Sequence, residues 1–232
     1  MRNLLKILLV LATASASFAA RAQEDYRFDI GGGIGMTGYL GDASSNLYAS
    51  PSWDAEILFR YIYNPRFNFK TNFYVGGLGG DTSKMDDILP DGENFKFTTT
   101  FYELGEMVEF HFFKYGMGER YRKLKRWTPY ITAGLGVTAW KADGKFGAAA
   151  TIPLGIGFKY KPALRWNLGL EFLMKKTFTD KLDGPLLDDP QGIKSAFMKN
   201  TDWYSTLTFT VSYEFSKRCA ACNYHTPRKM YK

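Results

Sequence analysis

Beyond about residue 25, apolar and polar residues alternate with period two along most of the chain. In Thr201 to Phe215, residues Trp203, Leu207, Phe209, Val211, Tyr213 and Phe215 share one parity, and Tyr204, Thr206, Thr208, Thr210, Ser212 and Glu214 share the other. A strand with one apolar and one polar face produces this period, whereas a helix would place apolar residues three and four apart. The same alternation predicts strands at Tyr26 to Leu40, Trp53 to Tyr63, Phe67 to Leu78 and Tyr102 to Phe112. Three more are predicted at Tyr130 to Ala139, Thr151 to Lys161 and Trp166 to Lys175.

The connections divide by length. Asn64-Pro65-Arg66 and Pro162 to Arg165 read as tight turns, whereas Gly41 to Ser52, Gly79 to Asn94 and Thr177 to Asn200 read as long polar loops. Lys141 to Gly147 reads as a short Gly and Lys loop. Eight strands joined by connections of alternating length leave both termini on one side. The fold class expected is therefore all-β: an eight-stranded, antiparallel, up-and-down transmembrane β-barrel of the outer-membrane type, apolar outward and polar inward. A soluble exported barrel would turn the apolar face inward and cluster fewer aromatics at strand ends. Eight strands enclose only enough room for side chains, so the expected barrel is a plug and not a pore.

The polar parity contains many charges. Asp29, Glu56, Arg60, Lys70, Glu103, Glu109, His111, Lys159, Arg165, Glu171 and Lys175 are expected to point inward as an ion-pair network with both signs in near balance. Glu106 falls on the apolar parity of its strand, and the sequence offers no reason for it.

Composition agrees with many strands and adds an address. Aromatic residues make up 17% of the chain and glycines number 23, with no apolar run near the ~20 residues of a membrane-crossing helix. Residues 1–22, with Arg2 and Lys6 before the apolar run Ile7 to Ala12 and small residues ending in Ala20-Arg21-Ala22, read as a secretory signal peptide. Residues 23–215 are then the barrel, and 216–232 a basic periplasmic tail. Removing Arg2, Lys6 and Arg21 takes the net charge from +7 to +4. Lys114 to Arg126 contributes +5 and Ser216 to Lys232 another +5, so the remainder sums to −6. Both basic segments are expected on the same side.

Candidate chemistry is sparse. Gly31-Gly32-Gly33-Ile34-Gly35 is not followed by a helical pattern, so it is read as strand glycine and not as a phosphate loop. His111 and His225 are the only histidines, too few for a metal site, and no nucleophile and base are placed together near the outer surface. No catalytic residue, no metal, no cofactor and no nucleic-acid partner are expected. Cys219-Ala220-Ala221-Cys222 lies in the tail, outside any βαβ context for a redox motif. Cys219 and Cys222 are disulfide candidates, and two readings stand: a local bridge, or a bridge to a partner protein.

Several strand ends carry a resemblance. Gly38-Tyr39-Leu40-Gly41-Asp42, Ile152 to Tyr160, Thr177 to Asp183, Asn200 to Tyr204 and the terminal cysteines, taken in order, resemble the PorG family over essentially the whole mature chain. Lys181 departs from that pattern, where an aromatic is expected. The resemblance implies a non-catalytic outer-membrane component of the type IX (Por) protein secretion machinery, associated with periplasmic ring proteins, a lipoprotein and its partner. Together with the charge map it makes Arg120, Arg122, Lys123, Lys125, Arg126, Lys217 and Arg218 candidate partner-binding residues, with outer-membrane lipid as the other expected neighbour of this rim. The alternative is a stand-alone small barrel in adhesion or surface defence, acting through its acidic external loops.

Overall fold

The computed structural model describes residues 26–40, 50–81, 96–118, 123–142, 145–178 and 203–217. They form eight strands: β1 (Tyr26–Leu40), β2 (Ser52–Ile62), β3 (Phe67–Asp81), β4 (Lys96–His111), β5 (Trp127–Ala142), β6 (Lys145–Ala163), β7 (Trp166–Thr177) and β8 (Trp203–Lys217). Each strand pairs antiparallel with its sequence neighbours, and β1 pairs with β8 from Tyr26 opposite Lys217 to Leu40 opposite Trp203. The final alternating segment therefore closes the barrel, and no sheet edge is left open.

The strands run 11 to 19 residues, longer than the ~10 residues that cross a hydrocarbon core at a tilt. Outward positions are apolar and exposed, among them Ile34 (73%), Leu135 (69%), Ile57 (64%) and Ile156 (62%). Such a surface would be unfavourable in water at ~25 cal/mol per Å² of apolar area. It is the wall of a lipid-embedded barrel, framed near the tight turns by a belt of rings. Phe28 packs on Phe59 and Phe215, Tyr61 on Phe69, Phe67 on Phe110, Trp127 on Phe113 and Phe158, and Trp166 on Tyr213.

The structure departs from the sequence reading in three places. The segment taken as a loop at Lys141 to Gly147 continues β5 and β6 as paired strands up to Ala142 opposite Lys145, because nothing in it interrupts cross-strand pairing. Tyr26, expected outward, is 6% exposed and faces inward at the foot of β1. There the pairing steps from Phe28–Phe215 to Tyr26–Lys217, and Ser216 adopts a left-handed φ of 60° that breaks the alternation. Arg165, expected in the interior, sits in the β6–β7 turn. Its guanidinium stacks over Tyr213 at 4.3 Å and Tyr26 at 5.0 Å, and its Nε donates to the Glu214 carbonyl at 2.9 Å.

The interior is filled, as expected for eight strands. Tyr39, Tyr74, Leu78, Phe101, Met107, Trp140, Leu173 and Tyr204 form an apolar cluster, largely in the half away from the tight turns. Below it the charges are layered. Lys175 Nζ donates to Glu103 Oε2 at 2.9 Å and lies 3.6 Å from the centroid of the Tyr74 ring, while Tyr204 donates to the same carboxylate. Lys70 is bonded to Glu171 and stands 3.5 Å from Glu56, and the Tyr130 hydroxyl donates to Glu171 Oε2 at 2.7 Å. Arg60 bridges Asp29 and Glu109, each at 2.9 Å, and Lys159 donates to the other oxygen of Glu109. Buried carboxyls among the described residues are Asp29, Asp54, Glu56, Glu103, Glu109, Glu171 and Glu214, seven against five buried cations, Arg60, Lys70, Lys159, Lys161 and Lys175. The balance is therefore acidic by two, and Glu56 is the carboxylate with neither oxygen hydrogen-bonded.

Candidate functional site at the basic mouth of the barrel

The end of the barrel holding the β2–β3 and β6–β7 turns, Tyr26 and Lys217 is the end that faces the periplasm in barrels of this type. Its chemistry is set by the β4–β5 connection, which does not hang free. Residues 112–118 and 123–126 fold across the mouth: Tyr115 N–H donates to the Pro65 carbonyl at 3.0 Å, Gly116 N–H to the Lys125 carbonyl at 2.9 Å, and Lys125 N–H to the Lys114 carbonyl at 2.8 Å. The β2–β3 turn that receives it is braced by Asn64, whose Oδ1 accepts the amides of Arg66 and Phe67 at 2.7 and 2.9 Å.

Tyr115 is the pin. Its hydroxyl donates to Asn167 Oδ1 at 2.8 Å on β7, and its ring meets His111 edge-on with centroids 5.5 Å apart. Burial, with Glu214 and Asp29 close by, pushes the Tyr115 phenol well above its ordinary range, so it remains a neutral donor. Behind it, Lys161 Nζ donates to Glu214 Oε1 at 2.5 Å, and Asn167 Nδ2 donates to the same oxygen at 3.1 Å. A cavity of about 70 Å³ remains, lined among others by Asp29, Asn68, His111, Lys159 and Lys161. His111 has its Nδ1 3.3 Å from the Pro65 carbonyl and its Nε2 3.3 Å from Lys159 Nζ. That arrangement suits a neutral ring with the proton on Nδ1, which donates to the carbonyl while Nε2 accepts from the ammonium.

Outside this plug the rim is basic. Arg27, Arg66, Lys114, Lys123, Lys125 and Arg126 are exposed, while Asp29, Glu109 and Glu214, the carboxylates of this end among the described residues, are buried in ion pairs. Of the sequence-predicted partner-binding residues, Lys123 and Arg126 stand clear, with Lys123 at a left-handed φ of 51°. Lys125 is partly committed, its Nζ lying 3.8 Å from the Phe113 ring centroid and 5.3 Å from that of Trp127. Lys217 ends β8 on the same side. Arg120, Arg122, Arg218, Cys219 and Cys222 lie outside the described residues, as do residues 1–22 and the acidic stretch 82–94. Sequence reasoning placed Lys114 on this rim within its basic segment, but missed Arg27 and Arg66 as members of the rim, and Tyr115, Asn167, Lys161 and Glu214 as its support. Arg66 beside Pro65 in a tight turn was the available signal.

The family described as "Domain of unknown function (DUF6089)" matches residues 2–224. The chain belongs to the DUF6089 family. Among solved structures it is similar to Neisserial surface protein A (NspA), with 11% identity and a TM-score of 0.53 over 81% of this chain and 97% of that one. It is also similar to Ail, the attachment invasion locus protein of Yersinia pestis, solved with the heparin analogue sucrose octasulfate (11%, TM-score 0.47, 82% and 99%). A third similarity is to the outer membrane protein OprG from Pseudomonas aeruginosa (10%, TM-score 0.45, 84% and 98%). No curated protein matches the sequence. At 11% identity the likeness to NspA speaks to fold, and it agrees with the lipid-facing wall: this DUF6089 protein is an outer-membrane β-barrel.

Proposed function

We propose that the protein is a structural component of the type IX secretion machinery that holds a periplasmic ring protein to the outer membrane through its basic mouth. The observation that carries the reading is the sorting of charge at that end: the described carboxylates are paired inside, and the described cations Arg27, Arg66, Lys114, Lys123, Lys125 and Arg126 line the outside. A one-signed surface on a rigid frame attracts a partner of opposite sign and orients it. The plugged interior supports a scaffold in preference to a conduit. The resemblance of the strand ends to the PorG family supplies the identity of the machinery, and the reading requires an acidic face on the ring subunit as the complement.

The test is charge reversal at Arg120, Arg122, Lys123, Lys125 and Arg126 together. Co-purification of ring proteins with the barrel, and secretion of cargo, should both fall while the barrel still assembles. Retention of both at wild-type levels would overturn the docking role and leave the rim to phospholipid headgroups.

A further inference from the structure

Glu106 projects from β4 into the apolar wall. The outward positions of that strand run Phe110, Val108, Glu106, Leu104 and Tyr102, so the carboxyl sits midway between the two aromatic residues. Across the strand pairs its neighbours are Thr71 on β3 and Leu135 on β5. Around it Phe69, Phe73, Leu104, Val108 and Leu135 are all exposed to the lipid side. Its hydrogen bond among the described residues comes from Thr71, whose Oγ1 donates to Oε1 at 2.8 Å. A carboxyl at mid-depth on a lipid-facing wall is unfavourable, and one neutral hydroxyl offsets only part of the cost.

A second feature adjoins it. The β5–β6 pairing lapses at Gly134 and Leu135, between Ala133–Leu154 and Gly136–Thr151. Pro153 stands opposite Gly134 there and has no amide hydrogen to give. The wall beside Glu106 thus has a gap in its ladder at the same height as the carboxyl.

We propose that this patch, Thr71, Glu106 and Leu135, is a contact site in the plane of the membrane for a second integral outer-membrane protein that presents an Arg or Lys side chain at mid-depth. The occupant follows from charge. A second copy related by a two-fold axis through the patch would bring carboxyl to carboxyl. The lipid-side lysines of this chain that the structure describes, Lys141 and Lys176, lie near the far ends of β5 and β7, not at mid-depth. A cation from another barrel satisfies both the charge and the free acceptor positions of the carboxylate. The proposal is independent of the docking role of the basic mouth, since the two surfaces are on different parts of the molecule.

A photo-cross-linking residue placed at Leu135 in the full-length protein tests this in the native membrane, with the same residue at Ile34 in β1 as a control. The expected result is a discrete adduct from Leu135 and none from Ile34. Mass spectrometry should identify an integral outer-membrane protein attached near a lipid-facing Arg or Lys. The adduct should fall at least tenfold in Glu106→Leu and be weakened in Glu106→Gln, with the heat-modified mobility of the folded barrel unchanged. No adduct from Leu135, an adduct the mass of two copies, or an adduct insensitive to both substitutions would overturn the proposal.

Discussion

The Tyr115 hydroxyl donates to Asn167 Oδ1 at 2.8 Å, tying the β4–β5 connection to β7, a strand that pairs with neither β4 nor β5. This bond acts with the Tyr115 N–H to Pro65 carbonyl bond and the Lys161 N–H to Arg126 carbonyl bond to hold the basic segment against the frame. Tyr115→Phe removes the hydroxyl alone and should cost about 1 kcal/mol, while Tyr115→Ala also empties the space beside His111 and should cost ~3 kcal/mol. Amide exchange of the refolded barrel in detergent is the measurement. Tyr115, Gly116 and Lys125 amides, which bond within this segment and to Pro65, should exchange much faster in Tyr115→Ala, while the β1–β8 amides keep their protection.

Interior charges should respond to substitution asymmetrically. Arg60 is 2% exposed and compensates both Asp29 and Glu109, so, among the described residues, Arg60→Met leaves buried Asp29 without a cation and Glu109 with Lys159 alone, and should destabilise by roughly 3–5 kcal/mol. Glu56 belongs to the acidic surplus, has no hydrogen bond to either oxygen, and meets Lys70 only at 3.5 Å. Glu56→Gln leaves Lys70 with Glu171 and should fall within about 1 kcal/mol of wild type, on either side. Denaturant titration of both variants in lipid vesicles separates them; equal losses would mean that the surplus carboxylate is compensated in a way the ion-pair geometry omits.

Glycine in β6 is a packing requirement at one position in particular. A Cβ on Gly157 would fall on the ring of Tyr130 from the adjacent strand, and that ring cannot move without breaking its hydrogen bond to Glu171. Gly157→Ala should therefore cost ~2 kcal/mol in the wild-type barrel. In a Tyr130→Ala background the space is already open, and the same change should cost less than about 0.5 kcal/mol. A double-mutant cycle measured by denaturant unfolding gives the coupling directly, and additive losses would refute the steric account.

Much of this architecture was legible in the chain because a lipid-facing barrel wall writes a period of two into every strand, and eight repeats leave little freedom in topology. Inward charges such as Arg60, Lys70 and Glu109 were readable for the same reason. Parity failed where backbone geometry departs from the pleat, at Ser216 and hence Tyr26, and at the Arg165 turn, where position after a strand mimics position within it. The mouth was illegible on other grounds. Tyr115 pairs with Asn167 at a separation of 52 residues, and no local pattern reports a contact between a turn and a distant strand. Glu106 was visible only as an anomaly, since what explains a charge on a lipid wall is a neighbour outside the chain.

The rim lysines should separate docking from stability. Lys123 and Arg126 are exposed, so Lys123→Glu with Arg126→Glu should leave unfolding within about 0.5 kcal/mol of wild type. Lys125 covers the Phe113 ring at 3.8 Å and approaches Trp127, an arrangement of about 0.5–1 kcal/mol at an exposed site. Lys125→Glu should therefore lower stability by roughly that amount as well as change the charge. If the basic mouth docks an acidic ring protein, the double reversal should weaken co-purification severalfold at low salt, with the difference shrinking as ionic strength rises past ~0.15 M and screening shortens the reach of the field. A loss of binding that tracks stability across the two variants, in place of charge, would assign the effect to rim structure and count against electrostatic docking.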